Sequence, residues 1–326
     1  MHLLFDILLK GLFNQINMRK ILFFLVFIPH LTIAQDFKIE HKVNDDKTVD
    51  FSYKNTSPNS ITAIVNFSFL ENSLSATNFV EKVSKSEGKL FTLKPSNGEQ
   101  NIGFNYSYSF FNHTINPKID DDFVYILPYN KETQMHIEEV AYLGSAYSNK
   151  EEPKGWKSYS FLSDEVQKIF SVRKGVVVDV IRDYDIDTTK TFIYYNSMNS
   201  VKIEHSDGTI ALYSGFNKNE IYVNVGDVVY PKYNPLGETA IYDKRKKHRI
   251  NFSLYYFSTK NGLKLSNLYE KNQIENIYIT PTFYQNGGAV KLKKDFFYEA
   301  DYDDKTLFQN FSKRQIKKYK KGSLIL

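Results

Sequence analysis

Cysteine is absent from this 326-residue chain, and its absence excludes several kinds of chemistry. Without a thiol the chain cannot form a disulfide framework, a thiolate zinc site or a cysteine nucleophile. Any metal site has to be built from carboxylates and the seven histidines. The Walker, G-x-S-x-G and dinucleotide-binding signatures are also missing. The sequence therefore predicts neither a nucleotide-dependent enzyme nor a serine hydrolase of these types.

A strong excess of one charge is missing as well. The 42 Lys and Arg residues outnumber the 37 Asp and Glu residues only slightly, which gives a net charge of +5. So small an excess does not predict a nucleic-acid partner. Apolar residues make up 42% of the chain and charged residues 24%, which is typical of a folded globular protein. The length predicts about two folded domains.

The N-terminal segment has the features of a secretory signal. A basic stretch at residues 18–20 precedes the apolar run Ile21–Ile28, and Ala34 ends the segment with a small residue. This order predicts a signal peptide over residues 1–34. The apolar run is short for a membrane span, which needs about 20 residues. We expect translation to begin at Met18, with residues 1–17 a spurious extension; a retained anchor helix is the alternative.

This N-terminal segment also sets the expected location of the protein. No later run is apolar and long enough to cross a membrane, so the mature chain is expected to lack a membrane span. Cleavage of the signal would release the chain into the periplasm or the extracellular space. The absence of cysteine does not conflict with export, because an oxidising compartment permits disulfides without requiring them.

Short strands separated by polar turns dominate the rest of the chain. Thr48–Lys54 alternates apolar and polar residues, and Gly103–Phe110 carries aromatic residues on one face. Ile61–Phe69 and Ile221–Val225 are further runs that predict strands. Evenly spaced strands without helical periodicity predict a β-sandwich-like domain. The predicted order is this sandwich over 36–128, a linker over 129–155, a second antiparallel β domain over 156–303, and a basic tail over 304–326. The lysine-rich end of the tail predicts a short basic helix, and a solvated end is favoured over a binder of anionic surfaces.

Several segments of the second β domain resemble a known family. The hairpin Val201–Tyr213 (VKIEHSDGTIALY) and the segment Val223–Val229 (VNVGDVV) are the most specific, and Gly175–Val178, Ile279–Phe283 and Tyr125–Tyr129 add weaker matches. Together they resemble the M23 zinc metallopeptidases, the LytM- or lysostaphin-like peptidoglycan hydrolases. The resemblance implies a mainly β fold in which a LytM-like antiparallel sheet follows an N-terminal β domain.

The resemblance fails at the active site. It implies a zinc ion held by a histidine, an aspartate and the second histidine of an H-x-H pair, with two more histidines acting on the attacking water and the oxyanion. The aspartate position falls on Ser160, the H-x-H pair on Arg249 and Asn251, and a further histidine position on Gly215. The first ligand should fall near Tyr147–Ser148, where no histidine occurs.

These replacements disfavour zinc on chemical grounds. A neutral hydroxyl is a poor zinc ligand, and the fixed positive charge of Arg249 repels a dication. His248 is one residue away from the matching position, and on a strand that shift turns the side chain to the opposite face. The sequence therefore predicts no cofactor; zinc would be expected only if the chain is active after all.

The resemblance implies a function without catalysis. We expect an exported pseudo-peptidase that binds peptidoglycan or another envelope component, or that regulates a partner cell-wall hydrolase. One alternative is an active M23 zinc metalloendopeptidase acting on peptidoglycan peptides, and a second is an envelope protein–protein interaction module. The expected groove residues are Tyr213, His205, His248 and Trp156. For His205 a structural role in the following turn is favoured, and for Trp156 a packing role.

Overall fold

Strands form most of the regular structure of this chain. The computed structural model describes residues 36–142, 151–189 and 197–324, and the predicted signal peptide at 1–34 lies outside them. The described part contains many strands and only short helices. The predicted fold class, mainly β with antiparallel sheets, is confirmed. No helix in these ranges has the length and apolar character needed to cross a membrane.

Two three-stranded antiparallel sheets form the N-terminal part. Sheet A consists of β1 (Phe37–Val43), β2 (Val49–Asn55) and β5 (Glu87–Leu93), and sheet B of β4 (Asn78–Val83), β3 (Ile61–Glu71) and β6 (Gly103–Asn112), each in spatial order.

Aromatic side chains from the two sheets form the core between them. Phe51 of sheet A lies with its ring centroid 5.5 Å from that of Phe67 and 5.0 Å from that of Tyr106, both of sheet B. The ring centroid of Phe37 in sheet A likewise lies 5.3 Å from that of Phe110 in sheet B. Alternating residues of each strand point inward, and edge-to-face aromatic pairs add to the energy of apolar burial. The predicted sandwich is therefore present.

A large antiparallel sheet, the main sheet, forms most of the remaining structure. Its strands are β8 (Gln134–Glu139), β9 (Ser158–Ser163), β10 (Lys168–Phe170), β11 (Gly175–Ile181), β12 (Ser200–His205), β13 (Ile210–Ser214), β14 (Phe216–Ile221), β15 (Val228–Val229), β16 (Pro235–Ile241), β17 (His248–Thr259), β18 (Ile274–Ile279) and β21 (Phe297–Glu299). Over the described residues their spatial order is β15-β11-β12-β13-β17-β9-β8-β21. In addition, β16 and β18 pair with β17, and β10 and β14 pair with β16.

Smaller elements complete the described chain. A three-stranded sheet joins β7 (Val124–Tyr125), β19 (Thr282–Gln285) and β20 (Gly288–Val290), with β7 parallel to β19. Three single-turn 3₁₀ helices follow β17, at Lys260–Gly262, Leu265–Asn267 and Lys271–Gln273. Two α-helices lie in the C-terminal tail, α1 (Asp304–Leu307) and α2 (Lys313–Lys320).

Two details of the sequence prediction need correction. The segment 129–155, expected to be a linker, contributes β8, which pairs with both β9 and β21. Met135 and Ile137 of β8 are fully buried, so this polar-looking segment places two apolar side chains in the main core. The run Ile221–Val225, expected to be a strand, belongs to a strand only at its first residue, because β14 ends at Ile221.

The C-terminal tail forms packed structure rather than a solvated end. Helix α2 begins with a capping box, in which Ser312 and Gln315 each accept from the other's backbone amide. Such reciprocal bonds satisfy amides that a helix end leaves unpaired. The Tyr319 hydroxyl donates to the Pro231 carbonyl at 3.1 Å, and the Tyr319 ring lies 5.2 Å from that of Tyr233. The tail is thereby attached to the main-sheet domain.

A buried carboxylate joins the sandwich to the main sheet. Glu204 of β12 accepts hydrogen bonds from the Ser60 amide at 3.0 Å and from the Ser60 hydroxyl. It also contacts Nδ1 of His113 at 3.2 Å. These donors hold the pKa of Glu204 below its ordinary value despite its burial, whose separate effect is to raise the pKa. Ser60 and His113 flank sheet B, so one carboxylate connects the two β regions.

The Glu204→Ala variant should lower the free energy of unfolding by about 2 kcal/mol. The substitution leaves the Ser60 amide and hydroxyl and the His113 ring without their acceptor. Urea unfolding at neutral pH measures the change. Glu99→Ala is the matched control, because Glu99 is exposed, and it should change stability by less than about 0.5 kcal/mol. Equal stability of the two variants would contradict the assigned role of Glu204.

Candidate functional site

Three adjacent strands bring the predicted catalytic positions together. Asn251 of β17 is paired with Ser160 of β9 on one side and with Ser214 of β13 on the other. Gly215 follows directly after Ser214, and Arg249 lies two residues before Asn251 on the same face of β17. Four positions that are distant in sequence therefore form one cluster, which we call the replaced site: Ser160, Gly215, Arg249 and Asn251.

An ion pair occupies one end of the replaced site. A guanidinium nitrogen of Arg249 contacts the Asp243 carboxylate, and both side chains are buried, with Arg249 only 9% exposed. The Arg245 amide donates to Asp243 at 3.0 Å, and the Arg245 side chain contacts it at 3.3 Å. A buried charge has to be paired to be tolerated, and Asp243 meets that need for Arg249.

The rest of the replaced site is buried and polar. Ser160 is 2% exposed and Asn251 3%. The hydroxyls of Ser160 and Ser214, the Asn251 Oδ1 and the Arg249 Nε have no hydrogen-bond partner among the described residues. The Asn251 amide donates to the sulfur of Met198 at 3.4 Å. Met198, Ala240 and Tyr242 form a small apolar cluster beside this polar face.

The backbone at Gly215 excludes a larger side chain. Its φ angle is +123°, in a region that non-glycine residues rarely adopt. A Cβ atom added there would lie 2.8 Å from the carbonyl oxygen of Arg249. A histidine at this position, as the family resemblance implies for active members, would need the backbone to move. The close contact between the two strands thus depends on glycine.

The groups in the replaced site do not fit a zinc ion. Zinc in proteins takes thiolate, imidazole or carboxylate ligands. Here the cluster offers hydroxyl and amide oxygens and a guanidinium. Of the adjacent carboxylates, Asp243 is paired with Arg249, and Glu138, which lies opposite Ser160, is paired with Arg245. Among the residues that the structure describes, no group of three or more His, Asp or Glu side chains is placed to hold a metal. The expected first-ligand position near Tyr147–Ser148 lies outside the described residues.

The expected groove residues do not share one surface. Tyr213 is fully buried, and its hydroxyl accepts from the Val172 amide at 2.9 Å. His248 is half-buried at the start of β17, with Nδ1 3.3 Å from the Thr239 carbonyl. Trp156 donates to the Val140 carbonyl at 2.9 Å, and its ring lies 4.7 Å from that of Tyr278 at an angle of 59°. One cavity of about 570 Å³ is lined by His205 and another of about 680 Å³ by Trp156, and neither includes a second of the four candidates.

His205, the fourth candidate, stabilises the turn after β12. Its Nδ1 lies 3.0 Å from the Lys174 carbonyl, and its carbonyl accepts from the Gly208 amide at 2.9 Å. Within the turn, the Asp207 carboxylate accepts from the Thr209 amide and hydroxyl. Burial, assisted by the charge of Arg173, lowers the pKa of His205 to about 4. The imidazole is therefore neutral in the folded protein at neutral pH.

Comparison with known proteins adds little to this description. No protein-family model matches the chain, and no curated protein is similar to it. A chain in the solved structure of the SpoIIQ–SpoIIIAH pore-forming complex matches with 17% identity and a TM-score of 0.29, over 48% of this chain and 93% of that chain. A TM-score this low supports no inference about the fold or the function of this chain.

Sequence reasoning missed Asp243, the residue that pairs with Arg249. One signal was present in the sequence: an arginine on a strand expected to be buried requires a carboxylate, and Asp243 precedes it by only a short turn. The burial of Ser214 and Met198 against Asn251 had no such signal. Their proximity depends on the register between β13 and β17, which one sequence does not reveal.

Replacing Asp243 alone should lower the stability of the fold strongly, whereas replacing both Asp243 and Arg249 should lower it much less. Asp243→Asn leaves the buried Arg249 charge unpaired and should lower the free energy of unfolding by about 3 kcal/mol or more. The double variant Asp243→Asn/Arg249→Met should recover most of that loss. Chemical denaturation of the three proteins measures the coupling between the partners.

Asp164→Asn is the matched control for this comparison, since Asp164 pairs with Lys247 at the surface and is 82% exposed. It should change stability by less than about 1 kcal/mol. A double variant no more stable than Asp243→Asn would contradict the pairing.

The free energy of unfolding should decrease as the pH is lowered, because His205 is buried in its neutral form. Its folded-state pKa of about 4 lies below the ordinary value of 6.5, so its contribution is complete above pH 6.5 and is lost as pH falls towards 4. The full effect is on the order of 3 kcal/mol. Urea unfolding at several pH values in this window, compared with His205→Gln, should show a shallower decline in the variant.

Proposed function

We propose that this chain is an exported, non-catalytic relative of the M23 zinc metallopeptidases that binds cell-wall material or a partner hydrolase in the cell envelope. One observation carries the non-catalytic part: the positions matched to catalytic residues meet in one buried cluster and carry Ser160, Gly215, Arg249 and Asn251. Their convergence supports the matching of these positions to one former site. The export follows from the signal-like segment at residues 1–34.

The chemistry of the cluster supports loss of the hydrolytic reaction. Hydrolysis by a zinc peptidase requires a metal-bound water whose pKa is lowered towards neutrality. The Arg249–Asp243 ion pair fills the cluster with its own compensated charge, and the Gly215 backbone excludes a histidine. No residue of the cluster is suited to activate water in place of the metal.

The replaced site is also closed to large ligands, so binding has to use another surface. Ser160 and Asn251 are almost fully buried. An open cavity of about 680 Å³ lies around Trp156, with Tyr142, Lys293 and Lys294 in its wall. The wall also contains Glu152 and Glu139, and Glu139 is already paired with Lys157. Aromatic rings give a large contact area for sugars or apolar groups, and the two ammonium groups attract carboxylates such as those of peptidoglycan stem peptides. We assign wall binding to this cavity, which we call the Trp156 cavity.

The purified full chain should release no peptides from purified peptidoglycan, with or without added zinc, and should retain no stoichiometric zinc after dialysis. Elemental analysis and chromatography of the soluble products measure both. The physical reason is the absence of zinc-binding groups from the replaced site. Stoichiometric zinc together with chelator-sensitive peptide release would overturn the proposal and establish an active metalloendopeptidase.

A second arm of the same experiment tests wall binding. The chain should co-sediment with insoluble peptidoglycan, and Lys293→Glu/Lys294→Glu should weaken the association about tenfold because attraction becomes repulsion. The control is Lys42→Glu, which changes an exposed lysine of the sandwich. Failure of the unsubstituted chain to co-sediment would contradict wall binding and favour a module that binds protein partners.

A further inference from the structure

A second cavity lies where the sandwich, the main sheet and the C-terminal tail meet. Its volume is about 570 Å³, within the usual range for small-molecule sites. All three parts belong to one compact unit that spans residues 37–326. The polar groups around the cavity come from each part: Ser60 and Lys82, then Lys174, Glu204 and His205, then Gln315. We call this space the junction cavity.

Two lysines give the junction cavity a positive charge. The Lys82 ammonium donates to the Asn116 carbonyl at 2.6 Å, and the Lys174 ammonium donates to the Gln315 side-chain oxygen at 3.1 Å. Both acceptors are neutral, and neither lysine has a carboxylate partner among the described residues. Lys174 is half-buried and Lys82 is exposed, and partial desolvation lowers the pKa of each ammonium. An ammonium group without a counter-charge favours an anionic ligand.

The carboxylate that lines the junction cavity is already engaged. Glu204 accepts from the amide and the hydroxyl of Ser60 and contacts the His113 ring. Its charge is therefore directed to the sandwich and not to the two lysines. Because no other acidic side chain lines the cavity in the described part of the chain, the lysines leave a net positive charge.

A buried histidine closes one side of the junction cavity. His205 is 2% exposed, and its Nδ1 lies 3.0 Å from the Lys174 carbonyl. Since a carbonyl only accepts, Nδ1 carries the proton and donates to it. This bond holds the backbone of Lys174 in place beside the cavity.

Apolar groups complete the wall of the junction cavity. Val83, Val176 and Tyr230 line it together with the polar residues. The Tyr230 ring also faces the Lys174 ammonium, 5.8 Å from its centroid. Small-molecule sites typically combine such apolar surface with a few polar groups that fix the orientation of the ligand.

We propose that the junction cavity binds a small organic anion, a carboxylate or a phosphate, whose charged group is held by Lys174 and Lys82. This site is separate from the replaced site and from the Trp156 cavity, so it does not depend on the proposed wall binding. Occupancy would connect the sandwich to the main sheet and stabilise the folded chain.

Isothermal titration calorimetry of the full chain with three probes tests the site. The probes are 3-phenyllactate, phenyl phosphate and the neutral 3-phenylpropane-1,2-diol. At least one of phenyllactate and phenyl phosphate should saturate below about 10 mM, and the diol should bind about tenfold more weakly than that anion. Phenyllactate compared with phenyl phosphate distinguishes a carboxylate from a phosphate.

Lysine variants locate the binding. Lys174→Gln and Lys82→Gln should each weaken the favoured anion about tenfold. Lys85→Gln, at an exposed lysine outside the cavity, should leave its affinity unchanged. Thermal melts check that the variants remain folded. The proposal is overturned if neither anion saturates, if the diol binds as tightly as the anions, or if Lys174→Gln has no more effect than Lys85→Gln.

Discussion

The alternation of side chains along β17 constrains the rest of this structure. The strand runs from His248 to Thr259 and pairs with β9, β13, β16 and β18. On one face Ile250, Phe252 and Leu254 are fully buried in the main core. On the other face Arg249, Asn251 and Ser253 are also buried, although they are polar. A shift of one residue would exchange the two faces, so the apolar set fixes the register and the polar set follows.

The buried polar face of β17 gives the replaced site a defined structure. Arg249 needs a counter-charge, and the hairpin between β16 and β17 supplies Asp243. Gly215, which directly follows β13, lies closer to the Arg249 carbonyl than a Cβ atom would permit. The hydroxyls of Ser160 and Ser214 and the Asn251 Oδ1 lack hydrogen-bond partners among the described residues.

Hydrogen bonds between named side chains connect the sandwich, the main sheet and the C-terminal tail. Glu204 belongs to the hairpin that most resembles the family, yet its carboxylate is bonded to Ser60 and His113 beside the sandwich. The tail helix reaches back through Gln315, whose side chain contacts both Lys174 and Tyr230. These contacts join three regions around one cavity. The hydrogen bonds of Glu204, Lys82 and Lys174 therefore surround the junction cavity, whose wall is formed by all three regions together.

The sequence alone determined the fold class and the location of many strands. Period-two alternation and aromatic residues predicted β2, β3 and β6, because side chains on alternate faces of a strand meet different surroundings. It also placed Ser160, Gly215, Arg249 and Asn251 at positions of one expected site, which the register of β9, β13 and β17 then brought together. It failed at β8, where two apolar residues among polar ones are too weak a local signal.

Only the tertiary structure decided which partners the buried polar groups have. The Arg249–Asp243 pair, the Glu204 contacts with the sandwich and the packed tail all join residues whose proximity depends on the register and packing of whole sheets. The burial of Tyr213 and His205, expected to face a groove, was decided in the same way. Local sequence specifies the backbone period and the side-chain chemistry, whereas burial and pairing depend on all the segments that pack against a residue.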